Sequence, residues 1–296
     1  MRFGFHVSIA DGWLKTVQRA VDRRCTALQV FTSAPVQWER KPLNADGARW
    51  FGETLRALDI RPLFVHAVYL LNLASPDRSL WRKSRDHLTE ELGRAALLGA
   101  SGVVIHLGSV GRRGSSETGA RRVARALDWA ASHADGTADI VLENCAGQGN
   151  LVGCTPDQLG CVIRQAAHAD RLKVCIDTAH AFAYGHTIHT PDGLDLFLGQ
   201  CDEAFGLDRL SLIHANDSKT PLGSNVDRHG HIGKGHIGHA GFRVIMKHCA
   251  LSHLPFIMET PAQQEWHSKD MRALRMAVDR QIRPALPPRR VVPPPE

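Results

Sequence analysis

The strongest constraint in this chain is a strict alternation. Eight short apolar runs are each followed by a longer segment of helical period: FGFHVS (3–8), ALQVFTS (27–33), PLFVHA (62–67), GVVIHLGS (102–109), DIVLENCAG (139–147), KVCIDTAHAF (173–182), LSLIHANDS (210–218) and PFIMETP (255–261). Continuous Val/Ile/Leu/Phe runs of this kind read as strands buried on both faces. Strand–helix alternation implies a parallel sheet and an α/β fold. Eight units in 296 residues predict one (β/α)8 barrel. An open doubly wound sheet would carry a glycine-rich phosphate turn after its first strand, and HVSIADG (6–12) is not G-x-G-x-x-G. Ser75–Pro76 and Thr155–Pro156 read as helix starts, with proline at the first helical position. The barrel domain is expected over 1–283, and the proline-rich remainder (284–296) reads as a disordered tail.

In such a barrel, chemistry sits at the C-terminal ends of the strands. Six runs end in a potential metal ligand, namely His66, His106, Glu143, Asp177, His214 and Glu259, and the first ends near His6. A lone histidine there is more often a hydrogen-bonded rim residue. Six such side chains at one level would be expensive to gather in a buried mouth without cations. Two more pairs join them: D-x-x-H at Asp177/His180, with His180 expected in the loop after the strand, and D-x-H at Asp227/His229. In NVDRHGHIGKGHIGH (225–239), Gly230, Gly233, Gly235 and Gly238 would let the loop fold back over the mouth. Its other histidines, His231, His236 and His239, are not expected to be ligands. Imidazole plus carboxylate without thiolate points to zinc, manganese or iron. Nine candidate ligands are too many for one zinc and suit two or three ions, as in hydrolases of phosphodiesters.

The formal net charge of +6 mildly favours a polyanionic partner. Seven cysteines, an odd number without CxxC, suit reduced thiols rather than a disulfide framework. With no signal-peptide pattern at the N-terminus and no long apolar run, the expectation is a cytoplasmic protein acting away from membranes.

The motifs resemble, collinearly over roughly residues 3–262, the endonuclease IV family of apurinic/apyrimidinic (AP) endonucleases. The stretches are FHVS, QW (37–38), YLLNLASP, IHLGS, LENCAGQG, CIDTAHAFAYG, HANDSKTPLGSNVDRH, G-x-G-x-I-G-H (233–239) and METP. The resemblance implies three zinc ions, with manganese as a substitute, in base excision repair. His66, His106 and the bridging Glu143 would hold one ion. Glu143, Asp177, His214 and Glu259 would hold the second, and His180, Asp227 and His229 the third. It implies a monomer that hydrolyses the phosphodiester 5′ to an abasic site in duplex DNA, leaving a 3′-hydroxyl and a 5′-deoxyribose phosphate, and that cleans blocked 3′ ends. Glu143 would act catalytically through metal spacing, and Glu259 as ligand and proton acceptor. Tyr69 and Leu70 match a loop that fills the space left by the extruded nucleotide; read alone, YLLNLA would be ordinary core at a helix start.

Two departures stand out. Val36 occupies the place where the family usually has arginine, which predicts weaker or more salt-sensitive binding, and Leu107 replaces the usual proline after His106. Lys219, Arg228 and Lys234 are candidate phosphate contacts, whereas Arg112 and Arg113 read as solvated charge. A metal-dependent sugar isomerase or epimerase on the same barrel is the competing reading. It has no need of the third ligand group. A metal-stabilised DNA-binding module without catalysis is a further alternative, but its ligands would form a compact finger rather than occupy strand ends, and the basic charge is modest.

Overall fold

The computed structural model describes residues 1–261 and 264–278. The strands, in chain order, are Arg2–Val7 (β1), Ala27–Val30 (β2), Leu63–His66 (β3), Gly102–Ile105 (β4), Asp139–Glu143 (β5), Leu172–Asp177 (β6), Leu210–His214 (β7), Asp217–Ser218 (β8), His229–Gly230 (β9) and Pro255–Met258 (β10). Eight of them, β1 to β7 and β10, run parallel and close into a barrel, while β8 and β9 form a small separate sheet. Around the barrel run Trp13–Asp22 (α1), Ala45–Ala57 (α2), Arg78–Leu97 (α3), Ser116–His133 (α4), Pro156–Gln165 (α5), Thr178–Tyr184 (α6), Pro191–Phe205 (α7), Gly238–Lys247 (α8) and Gln264–Val278 (α9). The expected barrel is therefore observed. The expected domain limit at 283 and the tail 284–296 lie outside the described residues. No described helix is long and apolar enough to cross a membrane.

Helix starts follow local chemistry. The Thr155 hydroxyl accepts from the Gln158 N–H with Pro156 at the first helical position, as the sequence predicts. The start of α3 differs from expectation. Asp77, not Ser75, is the cap, its carboxylate accepting from the N–H groups of Ser79 and Leu80 at 2.7 and 3.2 Å. The Ser75 hydroxyl accepts from the Asp77 N–H instead, which places Pro76 before the cap. Two acceptors compete for the helix N-terminus, and the carboxylate makes the stronger, charge-assisted bonds.

The strand pleat positions the site. Ala27, Phe64, Val104, Val141, Cys175, Leu212 and Ile257 form a separate apolar cluster, one residue from each barrel strand but β1. Side chains two residues apart share a face. Two residues beyond each of these stand Gln29, His66, His106, Glu143, Asp177, His214 and Glu259, and His6 takes the corresponding place after β1's Gly4. A polar layer of eight, one per strand, thus rests on an apolar floor. A register shift between Val174 and Cys175 brings Asp177 opposite His214. The larger hydrophobic cluster lies between barrel and helices.

Candidate metal centre

Three groups of ligand-type side chains meet in the polar layer, each with its donor atoms within 4.8 Å of one another. They are His66/His106/Glu143, Glu143/Asp177/His214/Glu259 and Asp177/His180/His229. Glu143 is shared by the first two: its Oε2 lies 3.2 Å from His66 Nε2 and 3.5 Å from His106 Nε2, and its Oε1 lies 3.0 Å from His214 Nδ1. Asp177 links the second to the third, with Oδ2 3.5 Å from His229 Nε2. Asp227 approaches the third from the solvent side, its two oxygens each 3.2 Å from a histidine nitrogen, His180 Nε2 and His229 Nε2. All nine candidates from the sequence are brought together, and Asp177 faces the third group as well as the second.

His180 departs from its expected place. It lies in the short helix α6 rather than in a loop. Asp177 is that helix's cap, accepting from the His180 N–H at 2.8 Å, so one carboxylate both starts the helix and faces the centre. The glycine-rich stretch is likewise more ordered than a loop. Strands β8 and β9 pair antiparallel, carrying His229 to the mouth.

The histidine tautomers fit a cation. His66 Nδ1 faces the Ala67 carbonyl at 2.7 Å, and His180 Nδ1 the Asn144 carbonyl at 3.0 Å. His229 Nδ1 faces the Glu259 carbonyl at 3.4 Å, and His214 Nε2 faces Gln29 Oε1 at 2.9 Å. A carbonyl oxygen accepts only, so each of these nitrogens carries a proton and leaves the other to meet a cation or take up a second proton. The lone pairs of His180 and His229 Nε2 then point at each other across 3.4 Å. That arrangement repels unless a cation or a proton stands near both. The donors are imidazole and carboxylate; Cys175 lies beneath them in the apolar floor, where burial pushes its thiol up to about 12.

Without a cation the centre holds its charge as ion pairs. Burial alone would raise the Glu143 carboxyl, but His106, His214 and His180 around it hold it well below the ordinary carboxylate range. Burial likewise opposes the ionised Glu259, and His214 and His6 outweigh it. Asp227 falls to about 2 despite burial because His180 and His229 flank it. Burial lowers His180 less than the carboxylates of Asp177, Asp227 and Glu143 raise it, and its pKa is well above normal. His214 is raised in the same sense, beside Cys175, Glu259 and Glu143. Burial prevails at His106 and His6, which are lowered.

Several contributors were not singled out in the sequence. Gln29, fully buried, donates to Glu259 Oε1 at 2.7 Å while accepting from His214. Its signal was a lone amide in the apolar run ALQV, since a buried amide needs partners. His6 Nδ1 meets the same Glu259 oxygen at 3.0 Å. The Asn216 amide donates to Asp177 Oδ2 at 2.6 Å, and its oxygen accepts from the Glu259 N–H at 2.8 Å. Asp217 accepts from the N–H groups of Gly235 and Ile237, both at 2.9 Å, and pins the glycine-rich loop. A Cβ on Gly235 would fall 2.2 Å from the Ser218 carbonyl oxygen, so the loop approaches too closely for any side chain there. His231 bonds Asp270 at 2.9 Å and stacks on Trp266, and His239 packs over Gly233; both hold the loop. His236 is exposed, its N–H bonded to the Ser218 carbonyl.

The expected DNA-facing residues lie around the mouth. Tyr69 is 53% exposed, its ring edge-on to Phe31 at 5.4 Å, and Leu70 is half-buried. Val36 is 67% exposed in the loop between β2 and α2. The two loops are joined, for the Tyr69 N–H donates to the Pro35 carbonyl at 2.9 Å. Lys219, Arg228 and Lys234 are exposed on or beside the small hairpin, where the Lys219 N–H donates to the Arg228 carbonyl at 2.9 Å. Leu107 is buried, touches the Gly153 region and accepts from the Ala74 N–H, which anchors its loop without proline.

Comparison with known proteins agrees with this arrangement. The profile of a family described as xylose isomerase-like TIM barrel matches residues 17–277. A probable endonuclease 4 of Methanoculleus marisnigri is 42% identical over 264 residues, 88% of this chain and 93% of its own length. The solved endonuclease IV of Thermus thermophilus superposes with a TM-score of 0.81 at 34% identity, over 94% of this chain and 99% of that one. A D-psicose 3-epimerase of Clostridium cellulolyticum shares the fold at a TM-score of 0.69 but only 14% identity, over 94% of this chain and 100% of that one. Collinear similarity over nearly the whole length, on a barrel whose mouth gathers all nine candidate residues, places the chain in the endonuclease IV family.

Proposed function

We propose that the chain is a zinc-dependent AP endonuclease. It hydrolyses the phosphodiester 5′ to an abasic site in duplex DNA, leaves a 3′-hydroxyl and a 5′-deoxyribose phosphate, and cleans blocked 3′ ends. It acts as a monomer in the cytoplasm. Three zinc ions, with manganese as a substitute, would be held by His66/His106/Glu143, by Glu143/Asp177/His214/Glu259 and by His180/Asp227/His229 with Asp177. When bound, such ions polarise the phosphodiester, lower the pKa of the attacking water and offset charge on the leaving 3′-oxygen.

The side chains divide the remaining work. Glu143, among four histidines, fixes the spacing of the first two groups. Glu259 is tied at Oε1 to Gln29 and His6, which leaves Oε2, 3.5 Å from His214 Nδ1, to accept the proton of the attacking water. Tyr69, Leu70 and Val36 fill the gap that opens when the abasic sugar leaves the duplex, a motion that is cheap because no base must be unstacked. Lys219, Arg228 and Lys234 meet phosphates.

The observation that carries this reading is the third ligand group, with His180 and His229 Nε2 3.4 Å apart and Asp227 3.2 Å from both. An epimerase needs no such addition. The test is incision of a labelled duplex bearing one tetrahydrofuran abasic analogue, by zinc-loaded and chelator-stripped protein. The analogue cannot undergo β-elimination, so a cut is hydrolytic. Metal-dependent cleavage on the 5′ side alone is expected. Folded, metal-loaded protein that makes no cut would overturn the reading in favour of a sugar epimerase.

A further inference from the structure

A second basic surface lies beside the mouth. Arg78 and Arg82 on α3 face Arg122 and Arg125 on α4 across a cavity of about 480 Å³, which Ser75 and Pro76 also line and Trp81 borders. The first pair is spaced i,i+4 and the second i,i+3, so each pair shares a helix face. Like charges so spaced repel and destabilise a helix unless a counter-charge offsets them. None is present among the described residues. Every carboxylate of the two helices and their caps is engaged elsewhere: Asp77 caps α3, Asp86 pairs with Arg85, Glu90 and Glu91 with Arg40, Glu117 with Arg121, and Asp128 accepts from the His168 N–H. The groove is built rather than incidental. Trp81 Nε1 donates to the Arg122 carbonyl at 3.1 Å, and an Arg122 guanidinium N–H reaches the Ala74 carbonyl at 3.4 Å.

Its position points to the ligand. Ser75 and Pro76 belong to the same β3–α3 loop as Tyr69 and Leu70, and Pro76 also lies beside Gly111 of the β4–α4 loop. The four arginines occupy the first three turns of their helices, within roughly 15 Å of the helix starts at 1.5 Å per residue, and those helix starts follow directly on the mouth loops. We propose that this groove binds the phosphate backbone of the duplex flanking the lesion, beyond the mouth contacts of Lys219, Arg228 and Lys234. Planar guanidiniums on opposite walls suit successive phosphates, each in bidentate fashion. The proposal rests on the endonuclease reading for the source of the phosphates, and the experiment keeps the two apart.

The test compares Arg82→Gln/Arg125→Gln with a charge-matched control, Arg56→Gln/Lys247→Gln, whose residues lie in the last turns of α2 and α8. Binding is measured over a salt series to a hairpin-closed abasic duplex of about 6 base pairs, which extends only about 10 Å either side of a central lesion, and to one of about 30. On the long duplex the groove variant is expected to lose about 2 from the slope of log affinity against log salt, near 0.9 per phosphate contact, and the control nothing. On the short duplex all three proteins should match. Equal slopes for variant and wild type on the long duplex would overturn the proposal and leave the groove to another polyanion, such as an acidic peptide. An equal loss on both duplexes would overturn it too, placing the contacts at the lesion. Wild-type protein that ignores the abasic site in the short duplex would instead sink the endonuclease reading, a result independent of the variant's slope.

Discussion

At the scale of single residues, Gln29 holds more of the centre than its type suggests. One amide orients His214 through its oxygen and Glu259 through its nitrogen. Gln29→Leu keeps the volume and removes both bonds. It is expected to lower metal affinity, measured by competition with a chelator, by roughly 10–100-fold, the usual effect of losing a partner behind a metal ligand. A properly folded variant with wild-type affinity would show that Gln29 only fills space. Val36 is the second informative residue. Exposed beside Tyr69's tether at Pro35, it offers no charge to a phosphate. Val36→Arg should tighten binding to abasic duplex and steepen its salt dependence by about 1 in slope. Of the two outcomes expected from the sequence, only weaker binding, not greater salt sensitivity, therefore accords with counterion release. Unchanged affinity across the salt series would remove Val36 from the DNA-binding surface.

At the scale of elements, the β8–β9 hairpin and the glycine-rich loop behave as one unit, joined by Asp217 and by the close approach of Gly235 to Ser218. This unit delivers His229, and Asp227 just ahead of it, to the third group. Gly235→Ala must push the backbone apart, because its Cβ would stand 2.2 Å from one oxygen and 2.5 Å from another. The expected cost is about 1–3 kcal/mol, together with weaker binding of one metal equivalent while the others remain. Gly199→Ala is the comparison, since nothing lies within 4 Å of the added methyl inside α7. It should leave metal content unchanged and stability equal or slightly higher. Equal metal content in both variants would separate the loop from the third group.

At the scale of the whole molecule, stability should fall in mild acid for a reason outside the metal centre. His87 on α3 is buried, neither of its ring nitrogens has a partner among the described residues, and its ring lies edge-on to Trp38 at 5.5 Å. Burial, aided by the nearby Arg40 charge, lowers its pKa to about 4. Between about 6.5 and 4 the unfolded chain takes up this proton and the folded chain does not. The contribution is therefore complete above pH 6.5 and is lost as the pH falls towards 4, on the order of 2 kcal/mol. His87→Phe keeps the contact with Trp38 and removes the titration. Its melting temperature should drop less between pH 7 and pH 5 than that of the wild type; identical drops would assign the acid lability to other groups.

The alternation of apolar runs with helical segments settled the barrel, because strands buried on both faces and joined by helices have few other ways to close. The motifs also pointed to all nine candidate ligands. Six of them follow from the two-residue period of a strand, which turns the side chain two places past the apolar floor into the mouth, and His180, Asp227 and His229 follow from the D-x-x-H and D-x-H spacings. Local signals were less decisive where two groups competed. Ser75 and Asp77 both suit a helix start, and only the folded chain chooses Asp77. His180 could not be placed in a helix from its sequence because that helix is started by a candidate ligand, Asp177, whose second role is invisible along the chain. Gln29, Asn216 and Asp217 acquire their partners from segments tens to hundreds of residues away. So does the facing of Arg78 and Arg82 by Arg122 and Arg125, four surface charges on two separate helices. Composition and period act along the chain, and they determined the fold and the identity of the candidate ligands. Which ligand is shared, which proton sits where and which charges face one another depend on distances across the barrel, and only tertiary structure supplies those.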